Sequence, residues 1–139
     1  MSIALDMRAA ITRCNFAKVC LLALASLILA APSPEPAQTV SVVLADYSFT
    51  PDHPTFQHST PYRLHLENHG KETHEFTAPV FFASAHIDNP DVLTRERTEI
   101  VMQPGDIKDV FLTVPASGTY DLRCSDHDWA GMIGGITVE

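Results

Sequence analysis

The sequence predicts an all-β fold, a small antiparallel β-sandwich, on the basis of three observations. Apolar and polar residues alternate in several short segments, turn-forming residues separate one segment from the next, and no segment has the apolar period of a long helix. A period of two places alternate side chains on one buried face of a strand. Short strands joined by frequent turns are typical of sandwiches, so we expect two packed sheets.

The strand pattern is clearest in six segments, which are residues 39–46, 61–68, 99–103, 107–114, 118–124 and 135–139. Leu64 and Leu66, for example, alternate with Arg63, His65 and Glu67, so the two leucines are expected to face the core. The turn Pro104-Gly105-Asp106 predicts that the third and fourth segments form a hairpin. Residues 81–97 lack alternation and are expected to form an excursion with one short helix.

The N-terminal segment has a different composition from the rest of the chain. Three basic residues precede a 13-residue apolar run, residues 19–31, and a Pro-rich stretch follows it. This order is typical of a secretory signal, and the run is shorter than the ~20 residues that a spanning helix needs. We therefore expect a cleavable signal peptide over residues 1–30, a Pro-rich linker over 31–38 and one domain over 39–139. An uncleaved membrane anchor is the alternative.

Removal of the signal would leave an acidic chain with a single thiol. Residues 31–139 contain Cys124 as their one cysteine, and they carry six Lys and Arg against sixteen Asp and Glu, a net charge of −10. An internal disulfide is then impossible, and a free thiol in an exported protein needs an occupant. The acidic balance argues against nucleic acid or an anionic membrane and favours a basic protein or a cation as partner.

The segment that closes the chain places a thiol, an imidazole and a thioether within nine residues. Cys124 shares the apolar face of its strand with Leu122, while His127 and Met132 follow in the next loop. Zinc sites do not use methionine, and calcium and magnesium prefer oxygen. A thiolate, two imidazoles and a weak axial thioether suit copper. The second imidazole must come from elsewhere, and His74 is the best candidate because it follows a turn and begins an apolar strand.

Other residues offer weaker alternatives for the metal site. His69 lies in the turn before His74 and could replace it, and Met102 could replace the axial methionine but is expected in the core. Three further histidines lie in turn-rich segments and are expected at the surface or in a second, weaker metal site: His53, His58 and His86. The pattern does not decide whether Trp129 is exposed or folded over the loop.

The loop C-S-D-H-D-W-A-G-M, spaced C-x2-H-x4-M, resembles the ligand loop of plastocyanin-type blue copper proteins, the cupredoxins. Y-S-F-T-P, the turn before His74, P-G-D, G-T-Y-D-L-R-C and G-I-T-V extend the resemblance over most of residues 39–139. It implies an eight-stranded Greek-key sandwich that binds one copper ion near one end. It also implies that His74, Cys124 and His127 are equatorial ligands, that Met132 is the axial ligand, and that the copper transfers single electrons.

One residue departs from the family pattern. Many members carry Asn directly after the first histidine ligand, where it ties the two ligand segments together, whereas this chain has Glu75. Glu75 is therefore expected either to turn to solvent or to make a charged tie.

The function expected from these features is that of a periplasmic or secreted type 1 copper protein that carries electrons and is not an enzyme. A copper-binding protein for storage, delivery or resistance is the alternative. A copper enzyme is disfavoured because a binuclear site needs two cysteines in the loop. We expect a monomer without a membrane span after signal cleavage. Its expected partner is a redox protein with a basic face, such as a c-type cytochrome.

Overall fold

The computed structural model describes residues 38–114 and 116–139, which contain ten strands, one α-helix and two 3₁₀ helices. The strands are β1 (Gln38–Ala45), β2 (Ser48–Thr50), β3 (Thr55–Phe56), β4 (Pro61–Asn68), β5 (His74–Thr77), β6 (His86–Ile87), β7 (Glu99–Met102), β8 (Ile107–Thr113), β9 (Gly118–Arg123) and β10 (Ile133–Val138). The helix α1 is Pro79–Ser84, and the 3₁₀ helices are Pro90–Val92 and Asp128–Ala130. The predicted signal peptide and nearly all of the predicted linker lie outside the described residues.

The strands form two five-stranded sheets around one core, which confirms the predicted all-β sandwich. The first sheet has the order β2-β1-β4-β8-β6, and the second has the order β3-β10-β9-β5-β7. Each sheet contains one parallel pair, β1 with β4 and β3 with β10, so the sheets are mixed rather than purely antiparallel. The parallel pairing of β1 with β4 follows from the path of the chain, which visits β3 in the opposite sheet between them.

The predicted hairpin over residues 99–114 is wrong. β7 pairs with β5 in the second sheet, and β8 pairs with β4 in the first. The turn at Pro104–Asp106, where Gly105 has a φ of +82°, therefore carries the chain from one sheet to the other. Both strands bury alternate apolar residues, so the sequence pattern is the same for a hairpin and for this crossing.

The core lies between the sheets and is closed by the excursion after β5. Phe81 and Phe82 of α1 are buried, and the ring of Phe81 contacts those of Phe56 and Tyr120 with centroids 5.4 and 5.5 Å apart. The predicted short helix is confirmed in this excursion, which also contains the short strand β6. Among the described residues, no helix has the length and apolar content needed to cross a membrane.

Candidate metal centre

Three of the four predicted site residues bring their donor atoms together at one end of the sandwich. His74 begins β5, Cys124 directly follows β9, and His127 lies in the loop between β9 and β10. His127 Nδ1 is 3.3 Å from both His74 Nδ1 and Cys124 Sγ, and Cys124 Sγ is 3.9 Å from His74 Nδ1. The adjacency of β5 and β9, which pair at Thr77 and Arg123, positions the first two residues.

The spacing of these atoms fits a metal ion. A point equidistant from the three donor atoms lies about 2 Å from each, close to the usual lengths of metal bonds to imidazole nitrogen and thiolate sulfur. The two Nδ1 atoms face each other at 3.3 Å. If both are unprotonated, they cannot hydrogen-bond to each other, but both lone pairs can bind one shared cation. Within the described part of the chain, no second cluster of three such side chains is found.

Met132 lies beside this cluster. Its side chain is fully buried, the Cys124 N–H donates to its carbonyl at 3.0 Å, and its own N–H donates to the His127 carbonyl at 3.2 Å. Gly131, which ends the 3₁₀ helix with a φ of +88°, turns the chain back so that these hydrogen bonds can form. The two hydrogen bonds therefore hold the backbone of Met132 next to Cys124 and His127.

None of the alternative histidines belongs to the cluster. The side chain of His69 is 60 % exposed and hydrogen-bonds Glu67 at 2.6 Å. His53, His58 and His86 are exposed at the surface. Met102 is fully buried in β7, as expected of a core residue.

Glu75 makes the tie that was one of its two expected roles. It is 6 % exposed, its Oε2 lies 3.0 Å from Cys124 Sγ, and the same oxygen accepts the Asp126 N–H at 3.3 Å. In the other direction, the Glu75 N–H donates to Cys124 Sγ at 3.4 Å. Glu75 thus joins β5 to the loop after β9.

The thiol of Cys124 is protonated in the metal-free protein. Burial raises its pKa to about 11, and the hydrogen bond to the Glu75 carboxylate adds to this effect. A thiol binds a metal as the thiolate, so a metal ion that enters this site must displace the proton.

Three residues that sequence reasoning missed surround the two imidazoles. Asp46 Oδ1 is 3.3 Å from His74 Nε2, and Glu72 Oε2 is 3.0 Å from His127 Nε2. The ring of Tyr47 lies over His127, with centroids 5.1 Å apart, and the Glu72 carboxylate raises the pKa of the Tyr47 hydroxyl. These residues lie in loops, where period-two patterning gives no direction for a side chain, so no sequence pattern predicts their contacts with the imidazoles.

The loop before His74 is shaped by a buried amide. Asn68 Nδ2 donates to the carbonyls of Glu72 and Met102 at 2.9 and 2.8 Å, and its Oδ1 accepts the Gly70 N–H at 2.8 Å. These hydrogen bonds satisfy loop backbone groups that strand pairing leaves free, and they hold Glu72 near the imidazoles.

Comparisons with known proteins agree with this fold. A family model described as a Cupredoxin-like domain matches residues 18–138. A chloroplastic plastocyanin from Hordeum vulgare is 41 % identical over 59 residues, which span 42 % of this chain but only 37 % of that protein.

Two solved structures share the architecture. Auracyanin B matches with a TM-score of 0.56 and 25 % identity, over 77 % of this chain and 92 % of that one. The dithionite-reduced auracyanin of Roseiflexus castenholzii matches with a TM-score of 0.55 and 18 % identity, over 74 % and 98 %, and supports the fold alone. Since the family model covers most of the sequence, the chain belongs to the cupredoxin family.

Proposed function

We propose that the protein is a type 1 copper protein of the periplasm that carries single electrons between redox partners and catalyses no reaction of its own. His74, Cys124 and His127 are the proposed equatorial ligands, and Met132 is the proposed axial ligand. The observation that carries the proposal is the convergence of one sulfur and two nitrogens at mutual distances of 3.3–3.9 Å in a buried site.

The donor set suits copper better than other metals. Bound copper would supply a one-electron change between Cu(I) and Cu(II). The chain holds the donors on rigid elements, because His74 belongs to a strand that is paired on both sides and Cys124 immediately follows another. The Glu75 N–H that points at Sγ favours a thiolate there, and it opposes the effect of burial and of the Glu75 carboxylate. Donors fixed in this way need to move little when the charge of the metal changes.

Burial of the site supports an electron carrier over a protein for copper delivery. His74, Cys124 and Met132 have no exposed surface, and only 13 % of the His127 side chain is exposed. Delivery requires ligands that a recipient can reach and replace, whereas electrons cross a thin layer of protein without any ligand leaving the metal. The one exposed imidazole edge is where such a transfer would be shortest.

The charge of the chain and its N-terminal pattern support the proposed location and partner. Residues 31–139 carry a net charge of −10, which favours a redox protein with a basic face, such as a c-type cytochrome. The basic and apolar pattern of residues 1–30 is that of an export signal, which supports a periplasmic location.

A copper-retention experiment separates a carrier from a delivery protein. The copper-loaded protein is cycled repeatedly with reduced and oxidised basic cytochrome c in the presence of a Cu(I) chelator, and chelated copper is measured by absorbance. We expect many turnovers with little copper lost, and the same result for His86→Ala, a surface histidine outside the cluster. Copper that moves to the chelator after the first reduction would favour delivery instead.

A further inference from the structure

Each of the two proposed histidine ligands contacts a carboxylate through the nitrogen that does not face the metal site. His74 Nε2 lies 3.3 Å from Asp46 Oδ1, and His127 Nε2 lies 3.0 Å from Glu72 Oε2. An ionised carboxylate only accepts hydrogen bonds, so the proton of each neutral imidazole belongs on Nε2. The lone pair of each Nδ1 is then free to face Cys124 Sγ and a metal ion.

The contact between Asp46 and His74 occupies space that the chain keeps open. A Cβ atom at Gly70 would lie 2.5 Å from Asp46 Oδ1 and 2.8 Å from His74 Nε2, so a side chain at residue 70 would force one of the two to shift. Asp46 Oδ1 also accepts the Lys71 N–H at 2.9 Å. This hydrogen bond fixes the Asp46 carboxylate against the fully buried ring of His74.

Glu72, whose side chain is 51 % exposed, contacts His127 at its Nε2. Asn68 fixes its backbone through the 2.9 Å hydrogen bond to the Glu72 carbonyl, and the Tyr47 ring lies against His127 beside it. The His127 side chain is 13 % exposed, although it lies in a surface loop. The carboxylate thus meets an imidazole that is largely withdrawn from water.

We propose that Asp46 and Glu72 are positioning residues that hold His74 and His127 in the Nε2–H form and lower the reduction potential of the bound copper. The proposal rests on the copper site proposed above. A carboxylate that accepts the Nε2 proton makes the opposite nitrogen a stronger donor. Negative charge near the metal also favours the ion of higher charge, Cu(II) over Cu(I), and both effects lower the potential.

The potential is tested with the isosteric amides Asp46→Asn and Glu72→Gln. In voltammetry of the copper-loaded protein, we expect each variant to raise the potential by an amount equal to about a tenfold change in the relative binding of Cu(II) and Cu(I), which is about 59 mV for one electron. Asp128→Asn is the matched control, since it removes the same charge from an exposed side chain next to His127. Shifts no larger than that of the control would overturn the proposal.

A second measurement needs no copper. In ¹⁵N NMR spectra of the copper-free protein, His74 and His127 are each expected to carry a proton on Nε2. Exchange of the His74 proton with water is expected to be faster in Asp46→Asn, and exchange of the His127 proton is expected to be faster in Glu72→Gln. An Nε2 without a proton in the wild-type protein would overturn the proposal, whatever the metal. Absence of blue absorption from the copper-loaded wild-type protein would instead overturn the proposed function. Each variant reports on its own ring, so one that fails to fold by circular dichroism leaves the other as the test.

Discussion

Met132, the proposed axial ligand, is expected to affect the reduction potential of the site more than its affinity for copper. A long axial bond to a soft thioether adds little to the affinity but disfavours Cu(II) relative to Cu(I). We expect Met132→Gln to lower the reduction potential while copper still binds. Voltammetry resolves the effect, because about 59 mV corresponds to only ~1.4 kcal/mol. An unchanged potential would remove Met132 from the coordination sphere.

Gly70 matters because of the space it leaves. We expect Gly70→Ala to destabilise the copper-free protein by about 1–3 kcal/mol, since the added methyl group would displace the Asp46 carboxylate or the His74 ring. Urea unfolding measures the loss, and copper binding is expected to weaken as well. Gly105→Ala is the control: its methyl group meets open space, although the left-handed φ of +82° costs roughly 1 kcal/mol. A copper site that is equally affected in both variants would contradict the steric explanation.

At this scale, the sequence was informative where the ligands are close together in the chain. Cys124, His127 and Met132 lie in one short segment, and their residue types and spacing indicate copper without any tertiary contact. The roles of Asp46 and Glu72 depend on how two separate loops fold over the imidazoles. No periodicity encodes such a contact, so sequence patterns could not reveal it.

At the scale of secondary structure, the outer face of the first sheet carries an ion-pair network on β4 and β8. His65 Nδ1 lies 2.6 Å from Asp109 Oδ1, His65 Nε2 lies 2.9 Å from Glu67 Oε1, and Arg63 Nε lies 2.9 Å from Asp109 Oδ1. The hydrogen bonds to Asp109 and then Glu67 raise the pKa of His65. The folded state therefore binds the His65 proton more tightly than the unfolded state does.

The network predicts how stability depends on pH. The stabilisation of the folded state by His65 is fully present below the unfolded pKa of about 6.5. It is lost as the pH rises through the higher pKa of His65 in the folded state. We expect His65→Gln to cost about 1 kcal/mol near pH 6 and less near pH 9, in urea unfolding of the copper-free protein. His86→Gln, at a side chain that is 82 % exposed, is expected to show little difference at either pH. A His65→Gln cost that grows with pH would contradict the prediction.

The positions of the strands can be predicted from the sequence better than their pairing can. Alternation located β1, β4 and β9 because each has one buried face. It could not place β7 and β8 in different sheets, since a strand in either sheet of a sandwich buries alternate residues in the same core. The two-residue strands β3 and β6 are too short for any period to be detected.

At the scale of the whole molecule, the charge of the chain is expected to govern the rate at which it meets its partner. Asp126 and Asp128 are exposed on either side of His127. We expect Asp126→Asn combined with Asp128→Asn to slow bimolecular electron transfer to a basic cytochrome and to flatten its salt dependence. Opposite charges raise association by a factor of about 10 or more at low salt, and the gain fades as the Debye length falls from ~30 Å at 0.01 M to ~3 Å at 1 M.

Stopped-flow kinetics over a salt series measures this effect. The blue absorption of the double variant is expected to persist, because neither residue is a proposed ligand. Electron-transfer rates that change neither with salt concentration nor with the two substitutions would place the docking face elsewhere on the molecule.

The visible spectrum of the copper-loaded protein, recorded beside that of Cys124→Ser, tests the proposed copper site most directly. A short bond between copper and the Cys124 thiolate predicts intense absorption at about 600 nm when one copper ion is bound per chain. In Cys124→Ser, this absorption is expected to disappear while far-UV circular dichroism shows the same β-sandwich, since the core does not need the metal. A wild-type protein without the band, or a variant that keeps it, would contradict a copper site built on Cys124.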